Sequence, residues 1–443
     1  MIFVSTRCKA VPVGIDDALI AGLAPDGGLY VPDFVPRVEL AAGRTLAETA
    51  TCVLAPYFAQ SMLRDALPTL CARAYNFEAP SVPLRDGRSE VLELFHGPTA
   101  AFKDYAARFL AEALGALRRP DAPVSTILVA TSGDTGAAVA GAFHRRAGFD
   151  VAILYPDGRV SPRQAHGLEC WGDNVRTYRV DGTFDDCQRM AKAALSDRDL
   201  RAKRAFTSAN SISLGRLLPQ IAYYAHAALR FHAAHGEPMH LIVPTGNLGN
   251  AAAAFLARKM GLPIGEIVLA TNANDVLPRY FAGGAYAPHA TIATIANAMD
   301  VGAPSNFERL RHWHRNDAET RQTMRAFAVE DDTIRRTIAQ APERHGIVPC
   351  PHTACGLHVL EILRQRGDAR RWTVVATAHP AKFDSIVEPL IGRPVALPPA
   401  LAACLARPAH ADALPADDAA LRERLLAGAA GTRAQATAHA TEA

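Results

Sequence analysis

Along much of the 443-residue chain, short apolar runs without polar alternation are followed by longer segments with helical spacing. Ser125–Gly148 predicts a strand, a Gly-rich turn and a helix. Asp150–Gly158 predicts a second strand, and Asn174–Gly182 a third, followed by a helix from Asp185 to about Leu195. His240–Gly261 repeats the order of strand, Gly-rich turn and helix, while Glu266–Asp275 and Arg371–Pro380 predict strands ending in polar loops. Ser213–Gly236 predicts one long apolar helix carrying Pro219. Apolar strands that do not alternate and are separated by helices indicate parallel sheets covered on both faces. The predicted fold class is therefore α/β, with two open, mostly parallel sheets and flanking helices. Upstream, Gly22–Pro32 predicts a turn and a short strand, Leu46–Met62 predicts helix, and Pro80, Pro83 and Asp86-Gly87 mark a boundary. The tail from Gly428 is low in complexity and is expected to fray.

Composition narrows the function classes. With 49% hydrophobic and 21% charged residues the chain is a folded one, and its length suggests two or three domains. A formal net charge of +3 argues against a dedicated nucleic-acid binder, which carries a basic excess. The long uncharged stretch Pro238–Ala257 is broken by Pro244, Gly246 and Gly249, so no membrane-spanning helix is expected. The N-terminus lacks the basic and long apolar regions of a signal peptide, and the eight cysteines form no CxxC pair. A cytoplasmic protein with reduced thiols is expected. Cys350-Pro-His352-Thr-Ala-Cys355 does not have metal-ligand spacing, so no metal is expected. His312-Trp-His314 reads as a solvated helix face. The basic residues are skewed: only Lys9, Lys103, Lys192, Lys203, Lys259 and Lys382 are lysine, against 41 arginines.

Four segments carry candidate chemistry. Gly246-Asn-Leu-Gly-Asn250 lies between a strand and an Ala-rich helix. Its glycines permit close backbone approach, and a helix start offers free N–H groups to an anion, usually a phosphate. It is neither a dinucleotide fingerprint nor a P-loop. Thr131–Gly136 (TSGDTG) reads as either an ordinary helix cap or a second small-anion site for a carboxylate. In Phe95–Asp104 (FHGPTAAFKD), Lys103 is either a solvated lysine or an amine nucleophile. Thr377 ends a strand with a hydroxyl. Two anion loops, a lysine and a strand-end hydroxyl are together what pyridoxal phosphate chemistry requires.

From about residue 14 to 425 the chain resembles the threonine synthases, a family of fold-type II pyridoxal phosphate enzymes related to the tryptophan synthase β subunit. The resemblance rests on GLAPDGGLYVP (Gly22–Pro32), FHGPTAAFKD, TSGDTG, SANSISLGR (Ser208–Arg216), GNLGN, ATNANDVLPR (Ala270–Arg279), NAMD (Asn297–Asp300) and TAHPAKF (Thr377–Phe383), in family order. It implies an N-terminal extension (1–90) and a large cofactor domain (91–115 and 235–395). It also implies a smaller mobile substrate domain (116–234) and a C-terminal helical segment with a frayed tail (396–443). Lys103 would bond covalently to pyridoxal 5'-phosphate and serve as base and acid. Gly246, Asn247, Leu248, Gly249 and Asn250 would cradle its phosphate, Thr377 would meet the pyridine nitrogen, and Asp134 would stand near the ring hydroxyl. Ser132, Gly133 and Thr135 would hold the substrate carboxylate; Ser208, Asn210, Ser211 and Arg216 would hold its phosphate. The implied reaction turns O-phospho-L-homoserine and water into L-threonine and phosphate, in a monomer or small homo-oligomer. The alternatives are a phospho-lyase or dehydratase of the same fold giving 2-oxobutanoate, and a catalytically silent binding protein.

Overall fold

The computed structural model describes residues 1–427, so the tail from Gly428 lies outside the described residues. Two parallel sheets carry the architecture. The larger has six strands in the order Arg325–Ala328, Ile264–Thr271, Met239–Pro244, Trp372–Ala376, Ser89–Glu93 and Ser81–Pro83, parallel except at the last pair. The smaller has five parallel strands, ordered Asp412–Pro415, Val175–Asp181, Phe149–Pro156, Ser125–Ala130 and Ala205–Ser208. Trp372–Ala376 is buried at every position and Ser125–Ala130 at every position after the first, as strands covered on both faces require.

The strand order decides where ligands can bind. From Met239–Pro244 the chain runs outward to Ile264–Thr271 and Arg325–Ala328, then returns to the other side as Trp372–Ala376. From Ser125–Ala130 it runs through Phe149–Pro156 and Val175–Asp181, then returns to the other side as Ala205–Ser208. Each of these two strands is thus a point of reversal, and a crevice opens beyond its C-terminal end. The two Gly-rich turns lie at those ends.

Local chemistry explains the elements that frame them. Helix Leu46–Phe58 starts in a capping box, with Thr45 accepting from the Glu48 N–H and Glu48 accepting from the Thr45 N–H. It packs on helix Ile221–His235. Val53, Leu54 and Tyr57 are buried in the same core as Leu241 and Ile127 from the two sheets, so the N-terminal region is built into the fold. The predicted single helix over Ser213–Gly236 is three pieces: Leu214–Leu217, a 3₁₀ turn Leu218–Gln220, and Ile221–His235. Pro219 lacks an N–H and clashes with the preceding turn, which breaks the α-helix. The C-terminal segment holds a strand, Asp412–Pro415, that periodicity did not reveal; it forms the edge of the smaller sheet. The His312-Trp-His314 segment also differs from expectation. Trp313 stacks on Phe255 at 5.7 Å, His314 Nδ1 lies 2.7 Å from the Leu310 carbonyl, and burial lowers the pKa of both histidines.

Candidate active site

Both Gly-rich turns face one cavity between the sheets. Of the residues singled out in the sequence, Lys103, Ser132, Asp134, Thr135, Ser208, Asn210, Ser211, Arg216, Gly246–Asn250 and Thr377 all line it. Gly133 lines a narrow adjoining space with Gln164 and Lys382.

The turn at Gly246 is tightly built. A Cβ on Gly246 would fall 2.7 Å from both the Cα and the carbonyl oxygen of Met299. Leu248 takes the left-handed conformation at φ 62°, unusual for a residue with a side chain, and helix Gly249–Lys259 begins directly after it. Asn247 braces the turn: its Nδ2 donates to Ser211 Oγ at 2.6 Å, its Oδ1 accepts from the Ser305 N–H, and its carbonyl accepts from Asn306 Nδ2 at 3.0 Å. A helix start leaves its first N–H groups without intrahelical partners, and this turn carries no acidic residue to oppose an anion.

The turn at Thr131 works differently. Thr131 Oγ1 accepts from both the Gly133 and the Gly136 N–H at 3.0 Å, so Thr131 caps the helix Asp134–Phe143. Ser132 and Thr135 line the cavity. Gly133 sits at φ 131°, a region that side chains rarely adopt. Asp134, 3% exposed, places a carboxylate in the wall.

Lys103 opens the helix Lys103–Leu117. The turn before it is fixed by Asp104, whose carboxylate accepts from the Thr99 N–H at 2.8 Å and the Thr99 hydroxyl at 2.6 Å. It is also stitched to the strand end that carries Thr377: the Phe102 N–H donates to the Thr377 carbonyl at 2.9 Å, and the His379 N–H donates to the Ala100 carbonyl at 3.0 Å. Lysine and hydroxyl therefore reach the cavity from interlocked backbones. Burial pushes the Lys103 amine down to about 8; Lys382 and Arg216 add to that and Asp134 opposes it. Burial works against the Asp134 carboxylate as well, yet Lys382, then Lys103 and His352, hold it well below the usual carboxylate range.

Sequence reasoning missed several groups that shape this wall. Lys382 was noted only as a rare lysine in a matching segment; its buried Nζ lies 2.7 Å from Asp134 Oδ1. Gln164 Nε2 donates to Asp134 Oδ1 at 3.3 Å and is itself held by Asn297. His352 lines the cavity, and its Nε2 accepts from the Ala298 N–H at 3.1 Å. Burial pushes that imidazole down to about 4, so it is neutral at pH 7. Cys350, its neighbour, caps the helix Pro351–Gln365 by accepting from the Thr353 N–H. Lys382 was flagged only by the scarcity of lysine and its place in TAHPAKF, His352 only by a Cys/His cluster without metal-ligand spacing, and Gln164 carried no local signal.

The donor set fits a phosphorylated, aldehyde-bearing cofactor. Arg216 Nε and Asn250 Nδ2 are buried donors in the cavity wall without a partner among the described residues. Burial lowers the Arg216 guanidinium to about 10, which leaves it cationic at neutral pH. A backbone cradle closed to a Cβ at Gly246, two donors without acceptors among the described residues, and a buried amine together suit an anion and a carbonyl carbon.

Comparison with known proteins agrees over nearly the whole chain. Residues 91–380 match the pyridoxal-phosphate dependent enzyme family, residues 2–75 the threonine synthase N terminus, and residues 353–425 the threonine synthase C-terminal family. A threonine synthase of Serratia marcescens is 38% identical over 94% of this chain and 96% of its own. The crystal structure of threonine synthase from Escherichia coli superposes with a TM-score of 0.89 at 35% identity, covering 96% of this chain and 99% of that one. A structure of threonine synthase from Brucella melitensis with bound pyridoxal phosphate gives a TM-score of 0.87 at 34% identity, covering 97% and 99%.

Proposed function

The chain belongs to the threonine synthase family of pyridoxal-phosphate dependent enzymes, and we propose that it converts O-phospho-L-homoserine and water into L-threonine and inorganic phosphate. It is a lyase whose cofactor is pyridoxal 5'-phosphate. The observation that carries the substrate reading is that anion donors line the cavity on two separate elements, the turn Gly246–Asn250 and the helix Leu214–Leu217 with Arg216. One phosphate-bearing cofactor and one phosphate-bearing substrate use both.

When bound, pyridoxal phosphate supplies an electron sink for the pair left as bonds at the amino-acid Cα break. Gly246, Asn247, Leu248, Gly249 and Asn250 would hold its phosphate, Thr377 and Asp134 polar atoms of its ring, and Lys103 Nζ its aldehyde carbon. Ser132, Gly133 and Thr135 would hold the substrate carboxylate, and Ser208, Asn210, Ser211 and Arg216 the substrate phosphate. Arginine suits that last role because its fork donates two bonds to one phosphate. Lys103 Nζ, once free and neutral, takes the proton from the substrate Cα; protonated, it returns one. An amine held down to about 8 is available in both forms near neutral pH.

The test is incubation of the enzyme with O-phospho-L-homoserine while phosphate and threonine are measured together. Equal yields of the two are expected. Phosphate accompanied by 2-oxobutanoate would instead make the chain a phospho-lyase, and tight cofactor binding without turnover would make it a silent binding protein. We place the enzyme in the cytoplasm, where its free cysteines remain reduced. No helix among the described residues is long and apolar enough to cross a membrane.

A further inference from the structure

We infer that Lys382 is a positioning residue for this reaction: it occupies the Asp134 carboxylate, so that Lys103 is left free to shed its proton. The functional meaning rests on Lys103 being the cofactor-bearing lysine, as proposed above; the charge relation itself does not.

Three ionisable groups share one buried space. Lys382 Nζ lies 2.7 Å from Asp134 Oδ1 and donates to the Thr99 carbonyl at 2.8 Å. Lys103 Nζ lies 3.8 Å from Asp134 Oδ2. The side chains of Lys382 and Asp134 are 4% and 3% exposed. Two cations and one anion therefore compete away from water, where a surplus charge is expensive. The competition is unequal. Lys382 has the shorter contact and a second acceptor; Lys103 has the longer contact and, 5.2 Å away, the Phe102 ring. The proton to leave is the one on Lys103.

The surroundings favour the same outcome. Arg216 faces Lys103 from the helix Leu214–Leu217 and repels its positive form. Cys350 and His352 face the group from the Pro351–Gln365 side; burial keeps Cys350 a thiol and His352 a neutral ring. Lys382 is held in place from outside. The Ser161 hydroxyl donates to the Lys382 carbonyl at 2.8 Å, and Arg163 Nη1 donates to the Ala381 carbonyl at 2.7 Å. A simple ion pair between Lys103 and Asp134 would lock the amine in its charged, unreactive state. Lys382 prevents that pair from forming alone.

The test reads the titration midpoint of Lys103 in the full-length protein stripped of cofactor, by competitive acetylation across pH with mass spectrometry. Lys382→Met should raise the midpoint by about one unit or more, since Asp134 then serves Lys103 alone. Lys382→Arg, which keeps the charge, should restore it to within about half a unit of wild type. The double variant Lys382→Met with Asp134→Asn should bring the raised midpoint back down, the non-additivity expected of a direct contact. In the holoenzyme, where Lys103 is free only once substrate is bound, the acid limb of the kcat profile should move up with Lys382→Met. A folded Lys382→Met protein with an unchanged or lower midpoint would overturn the inference. If that variant does not fold, Asp134→Asn alone must lower the midpoint, and failure to do so would also overturn it. Absence of cofactor uptake by the wild type would refute the proposed function while leaving the Lys103 midpoint readable.

Discussion

The two Gly-rich turns look alike as sequence: each follows a buried strand, starts a helix and mixes glycine with small polar residues. They do opposite electrostatic work. At Gly246–Asn250 the backbone supplies the attraction, with free N–H groups at a helix start and Asn247 spent on bracing. At Thr131–Gly136 one hydroxyl closes the helix end, and a buried carboxylate, Asp134, stands in the wall. That carboxylate repels an approaching anion unless a cation answers it, and Lys382 Nζ lies 2.7 Å from Asp134 Oδ1. The lesson is that a turn's anion preference is read from its charge partners, which come from other parts of the chain.

Four substitutions and one titration test this contrast. Lys103→Ala should reduce phosphate release by on the order of a thousand-fold or more, because the other amine nearby, Lys382 Nζ, is held on Asp134 and the Thr99 carbonyl. Gly246→Ala should come next. Its Cβ would collide with the Met299 backbone, costing about 1–3 kcal/mol by overpacking and weakening cofactor affinity about ten-fold in a fluorescence titration. Gly133→Ala should strain a φ of 131° and press on Gln164, 2.7 Å away. It should raise KM while leaving cofactor affinity within about three-fold, since the strain of roughly 1–3 kcal/mol falls on the other turn. If Gly133→Ala also abolished cofactor uptake, the division between cofactor turn and substrate turn would be wrong.

The titration follows from Lys103. Its amine falls from the ordinary 10.5 to about 8 on folding. Between those values the unfolded chain binds more protons than the folded one, so this group makes the cofactor-free protein more stable as pH rises. The penalty for charging it is fully present below about 8. Thermal unfolding of the cofactor-free protein from pH 7.5 to 10 should show that rise, and Lys103→Met should flatten it. The smallest effect belongs to the cap. Thr131→Val removes the acceptor of two helix-start N–H groups and should cost about 1 kcal/mol in chemical denaturation.

Much of this was readable from short stretches. The strands Ser125–Ala130, Met239–Pro244 and Trp372–Ala376 announced themselves as apolar runs, because strands buried on both faces have no polar face to show. What escaped was what depended on distant partners. Asp412–Pro415 is four residues long and becomes a strand only because Val175–Asp181 offers it an edge. Pro219 divided a helix that apolar spacing alone made continuous. Lys382, Gln164 and His352 carry no motif that marks their roles.

The order of residues along the chain determined the chemical inventory: a lysine in the segment FHGPTAAFKD of an arginine-rich chain, two glycine turns, a strand-end hydroxyl and an α/β pattern. Those are local properties, set by side-chain period, by the conformational freedom of glycine, and by the inability of a guanidinium to do the work of an amine. The tertiary structure alone decided that both turns open into one cavity, because the order of strands within each sheet places the reversal points. It also decided which lysine answers Asp134. Contact distance and burial set the strength of an ion pair, and both are properties of the packed chain.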